Sequence, residues 1–310
     1  MGEFLQERRI QYTRQHPSVA LGFAHRGAAS PAHKQAVLHH SQALEAELTS
    51  LRSERDDLAR AVAEAAQVQR KLSAPRHFRH ADFDIAGEIF PVHQVSGDLL
   101  ASFEVGNQML LAIGDIAGKS FFAGMWFAHI MGLIRLFSGS LADPAAIAAE
   151  MNRQLSALQP EPPMTTLFLA LLDAATGELT YCNAGHPAPL LLRRDGSAEW
   201  LQTGGPLLGA VPGIPFANGH VVLSHSDTLV GYSDGIVECR NVDGENFDQP
   251  QLVAAVRKSA GSESTPRSAD SILFSVLGAA QDFAGGHPCA DDITLMVVHR
   301  LEETGTLSVG

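Results

Sequence analysis

Four aspartates stand at the ends of apolar runs: Asp98 in Val95-Ser96-Gly97-Asp98, Asp115 in Ile113-Gly114-Asp115, Asp234 in Ser233-Asp234-Gly235 and Asp291 in Asp291-Asp292-Ile293-Thr294. The neighbouring runs 109–116, 228–233 and 293–298 read as buried strands, so the carboxylates are expected to emerge where sheets stop. Carboxylates that meet in space must be neutralised, by cations or by raised pKa values, and cations are the expected answer. Singly, each aspartate is ordinary turn chemistry, because Asp-Gly and Gly-Asp pairs mark turns. The ordered set carries the reading.

The elements that must position these acids begin with a heptad. Val37, Leu44, Leu51, Leu58, Ala65 and Leu72 fall seven apart, with Leu48 and Val62 four residues after Leu44 and Leu58. This predicts a coiled-coil helix over 36–75, ending at Pro75, and a parallel homodimer; the competing arrangement is one helix folded back on its own domain. Residues 1–35 carry no strong period and read as a flexible arm or a truncated regulatory segment, and 303–310 as a tail. Beyond Pro75, strand-like runs at 83–89, 167–173, 178–183, 188–192 and 221–223 join those beside the acids. Helical patterns at 121–137, 144–158, 249–259 and 267–283 interrupt them in clusters. The fold class is therefore α+β, with antiparallel sheets packed face to face and helices outside, in a domain spanning 76–302.

The chain of 310 residues is 45% hydrophobic, enough for one sizeable core and an appendage. Residues 1–80 hold 12 Lys and Arg against 8 Asp and Glu, a net +4, while 81–310 hold 10 against 26, a net −16. So acidic a domain excludes sequence-independent binding to nucleic acid, which rests on cations neutralising phosphates. Cys182, Cys239 and Cys289 are too few and scattered for a disulfide framework or a CxxC metal site, and suit a reducing, cytoplasmic compartment. The longest apolar run, 121–137, contains His129 and Arg135 and is short for a membrane span, so none is expected.

Seven motifs in order resemble the metal-dependent protein phosphatases of the protein phosphatase 2C-like superfamily, specifically the bacterial stage II sporulation protein E type. They are Ala66-Gln67-Val68-Gln69 leading to Pro75, Val95-Ser96-Gly97-Asp98, Ile113-Gly114-Asp115-Ile116-Ala117-Gly118-Lys119, Asn183-Ala184-Gly185-His186-Pro187, Gly205-Pro206-Leu207-Leu208-Gly209, Tyr232-Ser233-Asp234-Gly235 and Asp291-Asp292-Ile293-Thr294. The resemblance covers about residues 66–300. It implies an α-β-β-α sandwich with a two-metal site at one end of the sheets. Asp98, Asp115, Asp234 and Asp291 would ligate metal, with the Ile116 carbonyl as a further ligand and Asp292 as a neighbour. Oxygen-only ligation favours two Mn²⁺ or Mg²⁺ ions over zinc. The resemblance further implies a phosphoserine or phosphothreonine substrate on an anti-sigma-factor antagonist in a partner-switching circuit.

His186 reads as a hydrogen-bonded structural histidine rather than a proton donor, and Lys119 as a capping or solvent-facing residue. Many family members carry Gly-Gly-Asp followed three residues later by a second acid, where this chain has Ser96 and Ala101; Ser120, Phe121 and Phe122 replace the usual Gly and small residues. These departures frame the rival reading, a catalytically weak phosphatase-fold scaffold that binds a signalling partner. A nuclease is disfavoured by the charge of 81–310.

Overall fold

A computed structural model describes residues 31–118, 121–141, 143–158, 163–259, 267–287 and 290–302. Residues 1–30, Lys119, Ser120, Cys289 and the expected tail lie outside the described residues.

Helix α1 (Pro31–Leu72) starts five residues before the heptad reading, with Pro31 at the first helical position, where a missing N–H costs nothing. The chain divides into two compact units at Arg60/Ala61. In the first, the seam residues Leu44, Leu48, Leu51 and Leu58 are all exposed. The last turns of α1, from Ala61, belong to the second unit, where Ala66 and Gln69 are buried.

That second unit continues with β1 (His77–His80), β2 (Phe83–Phe90), β3 (Leu99–Val105), β4 (Gln108–Ile116), α2 (Phe121–Ser138), α3 (Pro144–Ser156), β5 (Thr165–Asp173) and β6 (Glu178–Ala184). It then adds β7 (Leu190–Leu192), β8 (Ala198–Trp200), β9 (Gly204–Gly205), β10 (Gly219–Val222), β11 (Thr228–Tyr232), α4 (Asp234–Val237), α5 (Asp248–Lys258), α6 (Ala269–Ala284) and β12 (Ile293–Arg300). One sheet runs β1-β2-β12-β11-β7-β8 and the other β10-β6-β5-β4-β3; every pairing is antiparallel except β9 on β6.

Strand alternation sorts the core into layers. In β4, Met109, Leu111 and Ile113 join Phe168, Leu229, Met296 and Val298 between the sheets. Leu110, Ala112 and Ile116 point the other way, onto Phe127, Ile130 and Ile134 of α2 and Ile147 and Met151 of α3. Helices α5 and α6 cover the outer face of the first sheet through Leu252, Val256, Ile272, Leu273 and Val276. The result is the α-β-β-α sandwich. Each such buried side chain contributes about 1.5–3 kcal/mol by leaving water.

Local chemistry fixes the ends. Gly106 (φ 59°) supplies the positive φ needed at the first central position of the β3–β4 hairpin. The Asp143 side chain caps α3, accepting from the Ala146 N–H, with Pro144 following. Ser268 and Ser271 form a reciprocal capping box on α6, and Gly285 ends that helix in the left-handed region. Helix α2 is long and apolar enough to cross a bilayer, but buries Ala123, Phe127, Ile130, Met131 and Ile134 in the protein.

Candidate metal centre

The sequence-predicted acids come from four separate segments. Asp98 immediately precedes β3, Asp115 is the penultimate residue of β4, Asp234 opens α4 directly after β11, and Asp291 lies in the turn entering β12. Backbone pairing forces these segments together. The Ile116 N–H donates to the Gly97 carbonyl at 3.3 Å, and the Ser233 N–H donates to the Thr294 carbonyl at 3.0 Å.

Two glycines make that approach possible. A side chain at Gly97 would place its Cβ 2.9 Å from the Ile116 carbonyl oxygen and 3.4 Å from Asp115 Oδ1, filling the cradle those oxygens line. At Gly235 a Cβ would sit 2.0 Å from the Asp292 carbonyl oxygen, so the turn at Asp234 meets the Asp291-Asp292 turn backbone to backbone. Ser233, fully buried, fastens the same junction: its hydroxyl donates to the Asp292 carbonyl at 3.2 Å and accepts from the Thr294 N–H at 2.8 Å.

Asp292 has a distinct place. Its carboxylate accepts from the Val92 N–H (2.7 Å), the Ser96 hydroxyl (2.6 Å) and the Gly97 N–H (3.2 Å), holding the loop that carries Asp98. Ser96 therefore has a local purpose, since its hydroxyl also accepts from the Asp98 N–H at 3.0 Å. Gln69 of α1 grips the same residue from the other side. Its amide donates to the Ser96 carbonyl at 2.7 Å and accepts from the Ser96 N–H at 3.0 Å. Asp98 is buried and accepts from the Thr294 hydroxyl on β12. Ala101 is 1% exposed within the apolar layer beneath α2, so no second acid arises from that strand position.

The electrostatics are those of unpaired like charges. Burial, then repulsion from Asp234, Asp291 and Asp292, raises Asp115 to about 6. Burial, followed by Asp115 and Asp292, lifts Asp98 well above the ordinary carboxylate range against the opposing hydrogen bond from Thr294. Asp234 is raised by burial, then by Glu238 and Asp291. Glu238, one turn along from Asp234, escaped the sequence reading although Asp234 and Glu238 are spaced i,i+4.

Among the described residues, no three His, Cys, Asp or Glu side chains are gathered closely enough to hold a cation as they stand. The mutual repulsion nevertheless places Asp115, Asp234 and Asp291 in one another's field, so the arrangement is an open acidic mouth. Its donor chemistry fits a hard divalent cation: carboxylate oxygens and a main-chain carbonyl, with the Gly97 cradle keeping two of them clear of any side chain. His186 stands apart from the mouth. It is 5% exposed, with its Nδ1 2.9 Å from the Thr166 hydroxyl, and burial pushes its pKa down to about 3.

The sequence family described as Stage II sporulation protein E (SpoIIE) matches residues 106–301. Protein IcfG of Synechocystis sp. is 26% identical over 238 residues, covering 68% of this chain and 37% of that protein, so the chain spans little more than a third of that relative. Phosphoserine phosphatase RsbU of Bacillus subtilis is 28% identical over 243 residues, covering 76% of this chain and 69% of RsbU. Among solved structures, the SiaA-PP2C domain of Pseudomonas aeruginosa superposes with a TM-score of 0.66 at 19% identity, over 80% of this chain and 98% of that one. The PP2C phosphatase domain of SpoIIE from Bacillus subtilis, with a fragment of its regulatory domain, gives 0.59 at 21%, over 73% and 64%. These structural likenesses establish a shared PP2C fold. With a family match over 106–301 and the fold and acidic mouth in place, the chain belongs to the stage II sporulation protein E family.

Proposed function

We propose that this chain is a metal-dependent protein serine/threonine phosphatase that hydrolyses a phosphoserine or phosphothreonine on a regulatory protein of the anti-sigma-factor-antagonist type. The observation that carries the reading is the gathering of the buried Asp98, the half-buried Asp115 and Asp234 and the exposed Asp291 from four segments at one end of the sandwich, with every leading charge acting on the first three another carboxylate. Such a cluster costs stability unless a cation enters it.

Asp115, Asp234 and Asp291, with the Ile116 carbonyl and Asp98, would hold two Mn²⁺ or Mg²⁺ ions. When bound, such ions lower the pKa of an attacking water and offset charge on the phosphoryl and leaving oxygens. The chain's own contribution is placement. Thr294 orients Asp98, Asp292 and Gln69 fix its loop, and Gly235 lets the Asp234 and Asp291 turns close on each other. No side chain in the mouth is assigned as nucleophile, so no phosphoenzyme is expected.

The regulatory part of the reading starts from the exposed leucines of α1. A parallel dimer would bury that seam. Because Gln69 on the same helix grips Ser96, α1 has a direct mechanical route to the loop of Asp98.

The test is hydrolysis of p-nitrophenyl phosphate and of a phosphoserine protein with Mn²⁺, with Mg²⁺ and after chelation, with Asp234→Asn as control. Metal-dependent turnover lost in the variant is the expected result. Binding of the phosphoprotein without turnover at millimolar Mn²⁺ would instead favour the scaffold, for which the buried Ala101 is the specific observation.

A further inference from the structure

We propose that His186 is a positioning residue of the metal centre: its buried imidazole holds the Thr166 hydroxyl, and that hydroxyl holds the backbone of Asp115 at the end of its strand. The inference rests on reading Asp115 as a cation ligand.

The motif around His186 is built to aim it inward. Asn183, the penultimate residue of β6, folds its side chain over the turn, accepting from the His186 N–H at 2.8 Å and donating to the His186 carbonyl at 3.0 Å and the Leu201 carbonyl at 3.2 Å. Gly185 takes φ 73°, and a Cβ there would meet the Leu207 backbone nitrogen at 2.8 Å. The left-handed turn and the close pass of Leu207 together require glycine. Asn-Ala-Gly-His is therefore a device for presenting an imidazole to the interior.

On one side the ring reaches Asp115 through a single hydroxyl. Thr166 pairs with Asp115 across the β4–β5 ladder, and its Oγ1 accepts from the Asp115 N–H at 3.2 Å. The same hydroxyl lies 2.9 Å from His186 Nδ1. The hydroxyl oxygen has two lone pairs, so it keeps the Asp115 N–H whether the hydroxyl donates to Nδ1 or Nδ1–H donates to it.

On the other side lies the opposite sheet. Nε2 faces that side, buried and outside hydrogen-bonding geometry. The contact that carries His186 to the metal centre is therefore the one to Thr166, through which it reaches the end of β4 where Asp115 stands. Since burial holds the ring neutral throughout the working pH range, the link does not switch with pH, and His186 has no proton to give a leaving group.

The experiment pairs Mn²⁺ binding, followed by electron paramagnetic resonance, with hydrogen exchange of the Asp115 amide in the metal-free protein. The variants are Thr166→Val, His186→Phe, His186→Gln and the Thr166→Val/His186→Phe double. Thr166→Val and His186→Phe are each expected to weaken Mn²⁺ binding about tenfold or more and to speed Asp115 exchange. The double variant should add nothing, because both act through one chain of contacts. His186→Gln, whose amide can still exchange a hydrogen bond with the Thr166 hydroxyl, should recover part of the affinity. A folded Thr166→Val protein with parental Mn²⁺ affinity and parental Asp115 exchange would overturn the assignment, as would losses that multiply in the double. Thr166→Val carries this test even if His186→Phe does not fold. A parent that binds no Mn²⁺ sinks the cation reading instead, and Asp115 exchange still decides whether the link exists.

Discussion

Replacing Asp115 by Asn should make the metal-free protein more stable while removing its turnover. In the fold the Asp115 carboxyl titrates near 6 rather than 3.8, because burial and then Asp234, Asp291 and Asp292 all oppose its charge. A raised acid pKa means the folded state holds the proton more tightly than the unfolded state. Above pH 6 both states are ionised and the fold carries the whole penalty; below pH 3.8 both are protonated and the penalty vanishes. Two pKa units correspond to about 3 kcal/mol, and solvent screening of a half-buried group reduces this to about 2. Asn removes the charge but keeps an oxygen to accept from the Ile116 backbone, the one favourable contact acting on the carboxylate. In chelator at pH 7.5 the variant should therefore melt about 4–8 °C above the parent, the gap closing by pH 4. The assay is a set of paired thermal melts between pH 4 and 7.5, with and without Mn²⁺. Added Mn²⁺ should reverse the order, since only the parent gains binding energy from it. A variant no more stable than the parent in chelator at pH 7.5, or a gap independent of pH, would refute the like-charge argument.

Three further outcomes follow from the same geometry. Gly235→Ala must displace the Asp292 carbonyl, now 2.0 Å from the added Cβ, so Mn²⁺ affinity measured by calorimetry and melting temperature should fall together. Gln69→Ala leaves both polar backbone groups of Ser96 without their partner at a buried site, a cost of about 1–3 kcal/mol for each orphaned group; phosphatase turnover should drop more than it does in Leu58→Ala, whose side chain is exposed in the first unit. His299 is held neutral, near 4, first by burial and then by Arg267, so the unfolded chain takes up its proton first as pH falls below about 6.5. His299→Gln should accordingly narrow the stability difference between pH 7 and pH 5 by about 2 kcal/mol, read from denaturant midpoints at the two pH values.

How much of this was legible in the sequence depends on the range over which each signal acts. The long strands β4, β5 and β12 and all four long helices flanking the sandwich announce themselves locally, because alternation and 3.6-residue spacing are properties of the segment alone. The reading missed β3, whose Ala101, Ser102 and Glu104 dilute its apolar pattern, although Gly106-Asn107 marks the hairpin that follows. Strands as short as β8 and β9 carry too few residues to show a period at all. Helix α3 ends two residues before the apolar pattern does, at Ser156 rather than Leu158. The four aspartates were legible because each stands at the end of an apolar run, Asp98, Asp115 and Asp234 beside glycine and Asp291 in an Asp-Asp pair.

The residues that hold those aspartates were not legible, and the reason is physical. Asp292 stabilises the Asp98 loop by accepting from residues almost 200 positions away, and Gln69 does so from a helix whose periodicity places it in a coiled-coil seam. Thr294 meets Asp98 only because β12 lies between β2 and β11. Each of these contacts is fixed by sheet order and register, which depend on every strand at once. Asp291 and Asp292 show the consequence most plainly: two identical side chains, adjacent in sequence, of which one is exposed at the mouth and the other is consumed by three hydrogen bonds to a loop. Since only Asp292 is engaged by that loop, removing the Asp291 carboxylate should cost cation binding, whereas removing that of Asp292 should cost the shape of the loop itself. Asp291→Asn with a melting temperature in chelator no lower than the parent's but weakened Mn²⁺ binding, set beside Asp292→Ala with a lowered melting temperature in the same buffer, would separate ligand from support; the reverse pattern would exchange their roles.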